Sequence, residues 1–367
     1  MTQDRQELVI SPDESSRISV YKVLLSVMVV FIHSYGANVN FAGETVIFDV
    51  PAWLDTLEFT FSEVLCGCAV NAFFFLSAYL LYRKPFSWKQ NIKKKARSLL
   101  VPYFIMNSLW ILIFFTAQHI PAMSSFFSDP KNIVANWDLA EWISRYFASP
   151  SSMFPMLYPL WFVRELFIMN LLSGIYPWIV KKLGHFSLAL FVLVWVFLLS
   201  SNVFFIHLQA LCFWGMGCYF ANRRISISSL DKHKAIIASV YIPLAVAVVA
   251  LHYSAYSDDS IYRYFHRLCT MTGIAFWFVY ATKVKGRIKS IVLSVSKYSF
   301  CIFIFHELNL TILRKITTKV VPQTTFFALI LYFIIPAIII GFCILLSRLL
   351  EKYMPKVYSL ISGGRSR

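Results

Sequence analysis

The feature that most constrains this chain is its division into long apolar runs. Ten stretches stand out, at about 18–37, 58–82, 99–118, 157–180, 185–201, 203–221, 235–252, 264–282, 290–311 and 326–349. At about 1.5 Å per residue, runs of this length are long enough to cross a hydrocarbon core of roughly 30 Å. Backbone polar groups in lipid must pair within the protein, and a run of uniform apolarity does that as a helix. The expected fold class is an all-α integral membrane protein of about ten transmembrane helices. Composition agrees: 58% of the residues are apolar and 14% charged, against about 25% charged in soluble domains.

The charges between the runs give an orientation. Basic clusters fall at Arg83 to Arg97, Lys181-Lys182, Arg223 to Lys234, Lys283 to Lys289 and from Arg348 onward. They alternate with poorly basic segments such as Asn38 to Trp53 and His252 to Ser260. The positive-inside rule then places both termini in the cytoplasm. Arg314, Lys315 and Lys319 disagree, because they fall outside in this scheme. The expected organisation is a polar cytoplasmic N-terminus over 1–16, one transmembrane domain over 17–350 and a cytoplasmic tail over 351–367. The polar start does not read as a cleavable signal peptide. The longest external loop is 119–156, where Trp137, Trp142 and Tyr146 suggest a helix lying in the membrane interface. The net charge of +16 belongs to these loops and is not a nucleic-acid footprint. The seven cysteines lie in apolar runs without metal-ligand spacing and read as small buried residues, so no metal is expected.

Ionisable residues inside apolar runs are functional-site candidates by default. Between Lys22 and His33 only Ser26 is polar. Eleven residues at about 100° each make three turns plus roughly 20°, so both fall on one helix stripe about 16 Å apart. His306 on the ninth run falls at a depth similar to that of His33. Arg164 and Glu165 lie in the outer third of the fourth run, while Lys22 and Ser77 lie near the cytoplasmic side. Each has a plain alternative. A membrane histidine is commonly a packing residue, Arg164 can neutralise Glu63 or Glu165, Ser77 can bond its own helix, and Lys93 to Arg97 can act only as a topology signal.

Taken in order, these residues resemble acyltransferase family 3, integral membrane O-acyltransferases that decorate bacterial surface polysaccharides. The matching motifs are Lys22-x10-His33, with Lys for the usual Arg, and Phe74-Phe-Leu-Ser-Ala-Tyr-Leu, with Ala78 for the usual Gly. They continue with Lys93, Lys94, Lys95 and Arg97 before Pro102-Tyr103, then Leu160-Trp161-Phe162, Tyr298-Ser299 followed by His306, and Gly363-Gly364-Arg365. The resemblance implies acetyl transfer from cytoplasmic acetyl-CoA, a co-substrate, to a glycan hydroxyl such as one on lipopolysaccharide O-antigen, in the bacterial inner membrane. The partners it implies are membrane lipid, the glycan acceptor and acyl-CoA, without nucleic acid. His33 would be the general base, since neutral imidazole suits a proton leaving a hydroxyl near neutral pH. Glu165, Glu63 and Glu307 are each candidates to orient it. Arg164 would stabilise the oxyanion or hold acceptor hydroxyls. Lys22, Lys95, Arg97 and Ser77 would serve the donor, and Trp161 and His306 the acceptor. The competing class is a transporter or flippase of a lipid-linked sugar, with the buried charges as its pathway.

Overall fold

A computed structural model describes residues 10–36, 39–41, 44–46, 50–127, 129, 132–147, 154–198, 202–203 and 206–365. Most of the expected N-terminal segment 1–16 and parts of the 119–156 loop lie outside the described residues.

The described chain is overwhelmingly helical. In order come α1 (Pro12–Ile32), α2 (Ala52–Phe59), α3 (Ala69–Tyr82), α4 (Trp88–Lys95), α5 (Val101–Gln118), α6 (Pro121–Ser124), α7 (Leu139–Tyr146), α8 (Trp161–Leu171) and α9 (Ile175–Leu183). Then follow α10 (Phe186–Phe197), α11 (Leu208–Asn222), α12 (Lys234–His252), α13 (Ser260–Tyr280), α14 (Gly286–Val295), α15 (Ser299–Val320), α16 (Thr325–Tyr353) and α17 (Pro355–Ile361). Two small antiparallel ribbons pair β1 (Val39–Phe41) with β2 (Glu44–Val46), and β3 (Asn202–Val203) with β4 (Ile206–His207).

Each of the ten apolar runs contains helix, which makes this a multi-pass membrane protein. Among the described residues, six helical stretches are long and apolar enough to cross a membrane: Pro12–Ile32, Ala52–Tyr82, Trp88–Gln118, Ile227–His252, Gly286–Val320 and Thr325–Tyr353. The pair Tyr158–Leu183 and Phe186–Phe197, bent by 116°, would add a seventh as one span. Gly184 stands at that bend with φ +60°, a conformation that favours glycine. The other runs are weaker: α11 has 15 residues, roughly 22 Å of helix, and α13 carries Arg263, His266 and Arg267.

The chain packs as two units. The first comprises Met1–Val29, Glu63–Ala96 and Glu165–Lys297, and the second Val30–Ser62, Arg97–Arg164 and Tyr298–Arg367. Three of the crossings fall at irregular helical turns, Thr60–Leu65, Ala96–Leu100 and Ser296–Tyr298.

In the first unit α11 is the buried centre, with Trp214, Phe213 and Cys218 almost wholly enclosed. It packs closely on α3, where a Cβ on Gly217 would lie 2.2 Å from the Phe75 carbonyl oxygen and 3.0 Å from the Ala78 Cβ. Small residues at such a crossing let membrane helices approach. By contrast, α12 exposes Ile236, Ile242 and Val246, as a lipid-facing helix does. Two ion pairs lie inside this unit. Arg17 binds both Asp231 oxygens at 2.8 and 2.5 Å, and buried Glu14 meets the Tyr79 hydroxyl at 2.7 Å and Arg83 at 3.7 Å. An apolar cavity of about 220 Å³ lies here, lined by Tyr21, Phe75, Phe213, Met216 and Phe278 among others.

The second unit is built on α15 and α16, with α17 packed against α16 and α5. Its C-terminal Gly-Gly-Arg segment is structural. Gly363 has φ +66°, a Cβ there would lie 2.2 Å from the Ser98 carbonyl oxygen, and Arg365 donates to that oxygen at 3.2 Å. Burial pulls the Arg365 guanidinium down to about 10, so it keeps its charge at neutral pH. The amphipathic segment forms α7, capped by Asp138 accepting the Glu141 N–H at 2.7 Å. Leu139 and Ile143 are exposed, but Trp137 precedes the helix and is buried. All seven cysteines are buried free thiols.

Candidate active site

Helix α1 ends at Ile32, so Lys22 lies within it and His33 occupies the turn that follows. A helix end leaves carbonyls without intrahelical partners, and here the second unit supplies them. Ser62 donates to the Phe31 carbonyl at 2.6 Å, and Arg314 donates to the His33 carbonyl at 3.3 Å and to that of Gly36. Gly36, at φ +79°, donates its N–H to Glu58 Oε2 at 3.3 Å. The backbone that carries His33 is therefore held from both sides.

The ring is held as well. His33 Nδ1 lies 2.6 Å from the Tyr158 hydroxyl, which donates to Glu307 Oε2 at 3.1 Å. Thr311 donates to the other Glu307 oxygen at 3.0 Å. His306 is fully buried and stacks on His33, with centroids 5.2 Å apart and planes at 17°. His306 Nδ1 faces the carbonyls of Phe303 at 2.7 Å and Ile302 at 3.2 Å. Carbonyls only accept, so Nδ1 carries the proton and Nε2 a lone pair. That Nε2 is buried without a hydrogen-bond partner among the described residues. The same reasoning applies to His33. With Glu307 ionised, Tyr158 donates to it, His33 Nδ1–H donates to Tyr158, and His33 Nε2 keeps its lone pair. An imidazole fixed in that tautomer can accept a proton at Nε2.

Of the three carboxylates that sequence left open as partners of His33, Glu307 reaches it, through Tyr158. Glu165 is fully buried in the first unit and holds another histidine: His207 brings Nδ1 to 2.5 Å from Oε1 and its N–H to 3.2 Å from Oε2. Glu63 lies in the irregular turn Thr60–Leu65. Arg164 is buried on the first turn of α8 and Trp161 partly buried at its start, while the neighbouring Phe162 ring packs on Phe303 at 5.3 Å. The donor candidates fall on separate elements: Lys22 on α1, Ser77 on α3, Lys95 at the end of α4 and exposed Arg97 in the irregular turn beyond it.

Sequence reasoning missed Tyr158, Arg314, Glu58 and His207. Two signals were present. Tyr158 lies three residues before Trp161, and Glu307, Thr311, Arg314 and Thr318 follow an i, i+4, i+7, i+11 rhythm that marks one polar helix stripe.

Residues 16–348 match the acyltransferase domain of acyltransferase family 3. A curated relative, the succinoglycan biosynthesis protein ExoH of Rhizobium meliloti (strain 1021), is 26% identical over 359 residues, covering 96% of this chain and 93% of its own. No solved structure matches.

Proposed function

The chain belongs to acyltransferase family 3, and from that premise we propose that it moves an acetyl group from cytoplasmic acetyl-CoA to a sugar hydroxyl of a cell-surface polysaccharide such as lipopolysaccharide O-antigen. The relative's name, which places that protein in succinoglycan biosynthesis, supports a polysaccharide acceptor. The observation that carries the proposal is the chain from Glu307 through Tyr158 to His33.

In this reading the acceptor hydroxyl gives its proton to His33 Nε2 as its oxygen attacks the thioester carbonyl carbon. The new C–O bond forms, the C–S bond breaks, and the imidazolium returns the proton to the departing thiolate. The transfer releases no net proton. Arg164 serves the oxyanion or the acceptor hydroxyls, Trp161 offers a flat face to a sugar ring, and His306 orients the acceptor. Lys22, Lys95 and Arg97 attract the donor phosphates, with Ser77 beside the path. We place ten spans in the bacterial inner membrane, with both termini cytoplasmic.

The test is His33→Ala in purified, membrane-inserted protein with labelled acetyl-CoA. Transfer should fall roughly 10²–10⁴-fold, the usual contribution of a positioned acid–base group, while donor binding persists. The wild-type rate should rise with pH as the imidazole loses its proton, because only the neutral ring accepts one. That limb should vanish in the variant. Near-wild-type transfer by well-inserted His33→Ala would remove His33 as the base.

A further inference from the structure

Behind the turn that carries His33, the second unit contains a cavity of about 50 Å³. One wall is polar and formed by Ser34, Glu58, Arg314, Thr317 and Thr318, and the other is apolar, including Leu331, Ile335 and Pro336. Glu58 is 3% exposed, an expensive place for a carboxylate unless it is used. Arg314, one of the cations that contradicts the charge rule for loops, lines the same wall.

The polar wall keeps several acceptors open. Ser34 gives its hydroxyl proton to the Val30 carbonyl at 2.8 Å, Thr317 to that of Leu313 at 2.9 Å and Thr318 to that of Arg314 at 2.8 Å. Arg314 donates to the carbonyls of His33 and Gly36. The Gly36 N–H goes to Glu58 Oε2, and Glu58 Oε1 accepts from no described residue. Besides the remaining N–H groups of Arg314 and the Tyr332 hydroxyl, the wall presents hydroxyl lone pairs and a carboxylate oxygen, which accept. A ligand with hydroxyls on one side, which both donate to these acceptors and accept from the guanidinium, and apolar groups on the other suits the two walls. Sugars have that make-up, with hydroxyls along the ring edge and C–H groups on the face. The volume holds about three to five water-sized groups, which is one edge of a sugar and not a whole ring.

We propose that this cavity is an acceptor subsite that takes a hydroxyl-bearing edge of the glycan, with Glu58 as its principal acceptor. The proposal rests on the acyl-transfer reading above and names what holds the acceptor there.

The experiment uses the full-length protein in proteoliposomes, with acetyl-CoA and, as acceptor, the cells' own surface polysaccharide de-O-acylated with mild base. Hydrogen bonds to charged groups are strong enough that Glu58→Gln should raise the acceptor KM roughly 10–150-fold and leave the donor KM unchanged. Thr318→Val, which keeps the volume and removes one acceptor oxygen, should raise it by a smaller factor of roughly 2–10. An unchanged acceptor KM in well-inserted Glu58→Gln overturns the subsite, whatever Thr318→Val does. If Glu58→Gln does not insert, Thr318→Val decides: a raised acceptor KM supports the subsite and an unchanged one overturns it. The two readings fail separately. Near-wild-type transfer by His33→Ala removes the base and leaves the acceptor KM effect standing, whereas a normal acceptor KM in Glu58→Gln beside an inactive His33→Ala removes only the subsite.

Discussion

Replacing Tyr158 with Phe tests the hydrogen-bond chain that aims His33. Among the described residues, the Tyr158 hydroxyl is the group bonded both to His33 Nδ1, at 2.6 Å, and to Glu307 Oε2, at 3.1 Å. Phe fills the same space, so no cavity opens and the edge-on contact with the His33 ring, at 5.0 Å, is kept. Glu307 keeps its bond from Thr311, while His33 Nδ1 loses its partner and the ring is free to hold either tautomer. A hydrogen bond to a charged group contributes about 1.5–3 kcal/mol, and partners that orient a reacting histidine from behind commonly account for about 10–100-fold in activity. We predict a kcat fall of roughly 10–100-fold, less than the loss in His33→Ala, with both KM values nearly unchanged. Glu307→Gln should fall in the same range. The double variant should be no worse than the worse single, because the two groups act in series through one ring. The assay is steady-state acetyl transfer in proteoliposomes, with thermal melting to confirm that each variant is folded. A fully active Tyr158→Phe beside a crippled Glu307→Gln would refute the reasoning, since Glu307 would then act by some route other than Tyr158.

Two further predictions concern the donor and the topology. Lys22→Gln or Arg97→Gln should raise the KM for acetyl-CoA roughly 10-fold or more with little effect on the acceptor, as loss of a charge-assisted phosphate contact requires. An unaltered donor KM in both would leave these cations a role in topology alone. Reporter fusions at Asn136 and Lys232 should give periplasmic and cytoplasmic signals respectively, and matching signals at both would overturn the ten-span arrangement.

The helices were legible because lipid leaves the backbone no alternative: every apolar run holds helix. Their lengths were less so. The run 203–221 reads as an ordinary span, yet α11 is 15 residues long and enclosed by protein, and hydropathy does not separate a lipid-facing helix from a central one. The run 58–82 gave no sign of the irregular turn at Thr60–Leu65. At the candidate site, His33 and His306 stood out as titratable groups in apolar sequence. Tyr158 did not, since a tyrosine near an interface is common and its partners lie 125 and 149 positions away. Glu165 drew attention for its place in an apolar run, but its partner, His207, lies in a two-residue strand that no periodicity announces.

Arg314 shows why charge counting and site finding have to be read together. Counted as a loop residue, it contradicts the orientation that every other cluster supports, and so do Lys315 and Lys319. In the structure none of the three behaves as a loop charge. Lys315 donates to the Phe126 carbonyl, Lys319 lies 4.1 Å over the Phe126 ring, and Arg314 holds the two carbonyls that bracket the turn after His33. A cation committed to carbonyls and rings inside the protein carries little information about which side of the membrane its loop occupies. The same commitment explains the position of Arg314 on α15. Glu307, Thr311 and Arg314 share one stripe, so a single helix holds the His33 ring through Tyr158 and its backbone through the guanidinium. Rotating α15 by one residue, about 100°, would withdraw all of these contacts at once. The catalytic geometry we propose for His33 is therefore set by the register of α15, and the cations that spoil the topology count belong to the helix that sets it.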